Sequence, residues 1–79
     1  MKTLSAIKAL ENYKLQCTFD DGTQKVADIS VYLNAPAFVP LKQQNVFKNV
    51  SNQNYFVEWK DCDVDLSADT LWHIGVEVE

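Results

Sequence analysis

The sequence has no arginine, and its seven basic residues, all lysine, are scattered from Lys2 to Lys60. Binding to a phosphate backbone needs clustered cations. With a net charge of −4 over 79 residues, direct contact with nucleic acid is not expected. Cysteine is sparse too. Cys17 and Cys62 allow one bridge at most. The segment Met1–Ile7 lacks the apolar run that opens a secretion signal. The expected compartment is therefore the reducing cytoplasm, with both thiols free. No stretch approaches the ~20 apolar residues of a membrane span, so no membrane partner is expected. Only two glycines and two prolines punctuate the chain, and there are no repeats, low-complexity tracts or linkers. Residues 1–79 read as one small domain.

What is present is globular in character: 47% of residues are hydrophobic and 11% aromatic, too many for a disordered chain. A core drawn from so few residues is thin. Small domains often supplement theirs with disulfides, metals or partner subunits. With no bridge expected and no cofactor motif in view, association with a protein partner, or with a second copy, is the remaining route.

The clearest local signal is Tyr13-Lys14-Leu15-Gln16-Cys17-Thr18-Phe19. Its apolar residues alternate with polar ones, the period of a half-buried strand. Asp21-Gly22 suits the two positive-φ positions of a type I′ hairpin turn. That turn would set Cys17 opposite Val26 and Leu15 opposite Asp28. Thr3–Leu10 reads as a preceding strand turned by Glu11-Asn12, which completes a three-stranded meander. Asp28 then reads as a helix cap, with Ile29, Tyr32 and Leu33 at helical spacing. Pro36 and Pro40 bracket Phe38 in what reads as an extended linker. Gln43–Asn49 reads as a second short helix carrying Val46, Phe47 and Val50.

After the polar turn Asn52-Gln53-Asn54, the segment Tyr55–Trp59 reads as a strand with Tyr55, Val57 and Trp59 on one face. The segment around Val50 would pair with it. Ser67 reads as the N-cap of a last helix, with Asp69 in the first turn and a Leu66–Leu71 hydrophobic staple. Gly75 would end that helix, and Val76–Glu79 alternates as a strand or a tail. The expected class is α+β: an antiparallel β-meander plus a second β-hairpin, with two or three short helices.

No catalytic constellation stands out. Asp61, Asp63 and Asp65 occupy alternate positions and imitate the start of a calcium-binding loop. However, Leu66 sits where that loop needs glycine, and Trp72 sits where it needs the bidentate glutamate. A solvated acidic turn is the simpler reading, and no metal is assigned. Cys17 lies on an apolar face, as a small core residue would. Cys62 is flanked by acids, which raise a thiol's pKa. His73, the single histidine, reads as a cation near a helix C-terminus, and no nucleophile can be paired with it.

The order Leu15, Phe19, Asp21-Gly22, Asp28-Ile29, Tyr32-Leu33, Phe38, Leu41, Phe47, Val50, Trp59 and Asp65–Leu71 resembles the bacterial family called domain of unknown function 2442. The likeness runs from about Ile7 to Leu71. Two positions depart from the family's pattern: Cys62 stands in a turn that often holds glycine, and Ala68 opens the last helix where proline is frequent. The resemblance implies a small α+β fold. Members resemble stand-alone short proteins or the N-terminal half of helix-turn-helix proteins. Some are encoded beside another small protein, which implies toxin–antitoxin pairing. No catalytic residue is carried over.

These readings lead to a non-enzymatic protein-interaction module, acting through a strand edge or the face carrying Phe56. Tyr55, Phe56, Trp59, Asp61 and Asp63 are the candidate partner-contacting residues, because Trp and Tyr dominate binding hot spots. The alternatives are an antitoxin-like regulator acting with a neighbouring gene product and, third, a metal-binding enzyme using the acidic turn.

Overall fold

A computed structural model of the chain describes residues 1–78. Two antiparallel sheets enclose the core. The first has the order β1-β2-β3-β7, from β1 (Leu4–Leu10), β2 (Lys14–Phe19), β3 (Gln24–Asp28) and β7 (Val76–Glu77). The second has the order β4-β5-β6, from β4 (Ser51–Asn52), β5 (Phe56–Trp59) and β6 (Val64–Ser67). Two 3-10 turns, Ile29–Tyr32 and Pro36–Lys42, and a single helical turn α1 (Gln44–Phe47) join the sheets. A final helix α2 (Ala68–Ile74) returns the chain to the first sheet. The α+β class, the meander and the second antiparallel unit are those the sequence predicts.

The inner face of the first sheet carries Leu4, Leu15, Cys17, Phe19 and Ala27, all buried. Val57, Trp59 and Leu66 of the second sheet, Ala68 and Leu71 of α2, and Ile29, Leu33, Leu41 and Phe47 from the connection complete the core. A bulge makes β1 fit. The ladder pairs Leu4 with Phe19 and Ala6 with Thr18, so Ser5 is the extra residue. Three positions apart, Leu4 and Ile7 would face opposite ways on a regular strand. The bulge turns both inward.

The β2–β3 register differs from expectation. Cys17 pairs with Lys25 and Leu15 with Ala27, one residue away from the pairing a two-residue turn would impose. Gly22 has φ 90°, whereas Asp21 is not left-handed. Gly22 N–H donates to the Phe19 carbonyl at 2.9 Å, and Phe19 N–H donates to the Thr23 carbonyl at 2.8 Å. This is a turn closed by a left-handed glycine, the three-residue hairpin loop. Asp21 Oδ1 accepts from Thr23 N–H at 2.9 Å and fixes it. The extra residue flips every side chain of β3, so Ala27 enters the core in place of Val26.

The two consecutive left-handed residues lie instead at Asn12 (φ 62°) and Tyr13 (φ 59°), in the β1–β2 turn. Such a backbone is unfavourable for tyrosine. Its surroundings hold it: the Tyr13 carbonyl accepts from Ile29 N–H at 2.8 Å, its hydroxyl donates to the Lys42 carbonyl, and its ring meets Phe47 edge-on at 5.5 Å.

The Pro36–Pro40 segment is not extended. Ala35, before Pro36, is extended at ψ 134°, but Pro36 then opens a 3-10 turn running to Lys42. The fixed φ of proline suits the first position of such a turn as well as it suits a linker. The expected second hairpin also gains a strand. Val64–Ser67 pairs with β5 along Phe56↔Ser67 to Trp59↔Val64, so Asp65 lies on a strand and not in a turn. The α2 cap is as expected, with Ser67 Oγ accepting from Thr70 N–H at 3.0 Å. The tail is a strand, Val76 pairing with Val26 and Glu77 with Lys25. Glu79 lies outside the described residues.

Candidate functional site

The residues singled out from sequence are divided by the second sheet. Trp59 is fully buried. It stacks on Phe47 with centroids 5.9 Å apart and donates its indole N–H to the Phe47 carbonyl at 2.8 Å. It is a core residue and presents nothing to a partner, because a large indole is best buried where its N–H finds an acceptor. Phe56 opens β5 on the opposite face, half-buried and outside the core cluster. Tyr55, just before it, is 56% exposed. Asp61 and Asp63 lie in the turn at the far end of β5. Asp61 Oδ2 accepts from Asn49 Nδ2 at 3.1 Å, and Asp63 has φ 58°. Tyr55 and Phe56 thus sit together, while the two aspartates flank the other end of the hairpin.

The acidic residues do not converge. Asp65 lies across from Glu58 on the outer face, and Lys60 approaches Glu58 at 3.9 Å. Among the described residues no group of three or more His, Cys, Asp or Glu side chains is brought together as metal ligands. Burial pushes the Cys17 thiol up to about 12. Cys62 is raised as well, by burial first and then by Asp61 and Asp63. Neither is in the thiolate form a nucleophile needs at neutral pH.

The structure also exposes a feature no single motif revealed. β1 is the outer strand of its sheet, seven residues long. At its start the edge is already engaged by the second sheet's polar turn. Leu4 N–H donates to the Asn54 carbonyl at 2.7 Å, and Asn52 Nδ2 donates to the Leu4 carbonyl at 3.0 Å. Asn52 Oδ1 accepts from Asn54 N–H at 2.9 Å, which holds the turn in place; its left-handed residue is Asn54 (φ 74°). From Ala6 to Leu10, no further main-chain bond is made on the outer side among the described residues. A groove lies at the far end of this open stretch, lined by Ala9, Leu10, Glu11, Asn12, Gln44 and Lys48. Its far wall is α1 and the residue after it. Asn52 and Asn54 hinted at this in the sequence, as residues suited to turns, but their partner Leu4 lies some fifty positions away.

The class defined by this architecture is a small α+β domain of two antiparallel sheets, with an open strand edge and, among the described residues, no helix long and apolar enough to cross a membrane. The family model for the protein of unknown function (DUF2442) matches residues 4–77, and the chain belongs to that family. No curated protein and no solved structure gives a match.

Proposed function

We propose that this domain is a non-enzymatic interaction module that takes an extended segment of a protein partner onto the free edge of β1. One observation carries the reading. The edge already makes one main-chain bond to the chain's own Asn52–Asn54 turn, from Leu4 N–H to the Asn54 carbonyl, and accepts a second from the Asn52 side chain, and it then runs open from Ala6 to Leu10. Unpaired edge groups are a ready template for another strand, and strand addition gives affinity through the main chain while pockets for alternate side chains give selectivity. Ile7 and Ala9 point inward, half-buried against the core, and offer apolar footing to a partner's inward side chains. The Tyr55–Phe56 pair is a second contact surface, resting on the position of Phe56 outside the core.

Hydrogen exchange tests the reading. Partner bound in a native lysate should protect the amides of β1 between Ala6 and Leu10. Protection confined to β5, with β1 unchanged, would move the site to Phe56. An antitoxin-like role is the special case in which the partner comes from a neighbouring gene. Co-expression that fails to relieve growth arrest removes that case and leaves the edge reading standing.

A further inference from the structure

Charge is not spread evenly over this fold. The stretch from Glu58 to Asp69 holds five carboxylates against one lysine, an excess as large as the net charge of the whole chain. It forms β5, β6 and the start of α2, on the second sheet's side. The open edge of β1 carries the opposite sign. Lys8 lies in the middle of the strand, exposed, opposite Gln16 on the outer face. Lys48, also exposed, lines the groove at the far end of the edge. Among the described residues the one ion pair is Lys60 with Glu58, so neither ammonium has a carboxylate within ion-pair distance. Lys14, nearby, is matched by Asp28 directly across the ladder. The one acid lining the groove is Glu11, at the turn.

We infer that the segment received by β1 is an acidic one, alternating carboxylate and apolar side chains. The inference rests on the edge reading above and adds the chemistry of the occupant. A strand laid against Ala6–Leu10 sends alternate side chains to opposite faces. Those on the outer face lie beside Lys8, where an opposite charge across the ladder is favourable and a like charge is not. Those on the inner face are the apolar ones and lie over Ile7 and Ala9, while Lys48 adds positive charge at the end of the edge. The excess of negative charge, carried by Glu58–Asp69, lies on the other sheet's side and away from this edge. Nucleic acid shares the negative charge, but it has no peptide main chain with which to complete a ladder, and it needs clustered cations that two separate lysines do not supply.

The probes are two capped octapeptides, one alternating glutamate with valine and one alternating lysine with valine. Each is titrated into the isotope-labelled full chain while the amides of Ala6–Leu10 are followed by NMR. The glutamate peptide should shift those amides and bind about tenfold more tightly than the lysine peptide at low salt. Salt should narrow the gap. The double variant Lys8→Glu/Lys48→Glu should reverse the preference. Both side chains are exposed, so the fold is retained, and unchanged amide spectra elsewhere verify this. Equal binding of both peptides at β1, or a preference that survives the double variant, overturns the acidic assignment and leaves the edge reading intact. Binding of neither peptide at β1 overturns both. A short single-stranded oligonucleotide that shifts the same amides at physiological salt overturns the assignment to a peptide.

Discussion

The indole N–H of Trp59 donates to the main-chain carbonyl of Phe47 at 2.8 Å, while the two rings stack with centroids 5.9 Å apart. One residue thereby ties the second sheet to the α1 segment, which has only a single turn of its own. Trp59→Phe keeps an aromatic ring but leaves the buried carbonyl unpaired and opens a cavity. The expected loss is about 2–4 kcal/mol. Urea unfolding followed by circular dichroism should show a lowered midpoint at unchanged slope.

Gly75 is glycine for space and not for backbone freedom. Its φ of −73° is open to any residue. A Cβ there would meet the Leu71 carbonyl oxygen at 2.7 Å and Lys25 Cβ at 2.8 Å. The stem of Lys25 packs under this point, and its ammonium donates to the Trp72 carbonyl at 2.8 Å while lying 4.0 Å from the Trp72 ring centroid. Gly75→Ala must push α2 away from β3 and should cost roughly 1–3 kcal/mol. Lys25→Ala in the same background should not recover that loss in thermal unfolding, because alanine keeps the Cβ that the added methyl group meets and the Leu71 carbonyl stays in place.

Asp28 caps the 3-10 turn that leaves β3, its carboxylate accepting from Ser30 N–H at 3.0 Å and from Ser30 Oγ at 2.6 Å. These bonds to Ser30, with a smaller contribution from Lys14, hold its pKa below the ordinary carboxylate value. A depressed pKa means the folded state binds fewer protons. The stabilisation is then fully present above pH 3.8 and is lost as pH falls through the folded value. Asp28→Ala should remove about 0.5–1 kcal/mol at neutral pH, and the gap to the parent should close in acid titrations of stability.

Cys17 titrates in the opposite direction. Its thiol is held up to about 12 from 9.0 by burial, so the folded state resists ionisation that the unfolded chain allows. Stability should fall as pH rises from 9 toward 12. At neutral pH a thiol reagent should modify half-buried Cys62 first and reach Cys17 only in denaturant, read by mass spectrometry of the intact chain.

Much of this architecture was legible because local signals agreed with tertiary context. The alternation of Leu15, Cys17 and Phe19, the Asp28 and Ser67 caps and the Tyr55–Trp59 strand all follow from side chains a few positions apart. The failures share a cause. The β2–β3 register turned on whether Asp21 would join Gly22 in a left-handed conformation, and Asp21 instead bonds to Thr23. β6 was hidden because Asp63 and Asp65 look solvated whether in a turn or on an outer strand face. The Pro36–Lys42 turn was hidden because proline's φ serves both conformations. That β1 lies at an edge follows from the meander the sequence predicts, but which part of the edge stays open could not be read from sequence, since what covers its first residue comes from Asn52 and Asn54.

Lys8 also guards the edge it lies on. An exposed lysine in mid-strand discourages pairing with a second copy, because two such strands bring their ammonium groups close together. The Ser5 bulge adds twist at one end only, so the stretch from Ala6 to Leu10 depends on this charge. Lys8→Val raises strand propensity and removes the repulsion. It should raise the apparent mass in light scattering as concentration increases, with β1 amides gaining protection in step. Lys8→Glu keeps a charge and should leave the parent's mass unchanged. If Lys8→Val behaves as the parent does at all concentrations, the edge is shielded by something other than charge, and strand addition there loses its main support.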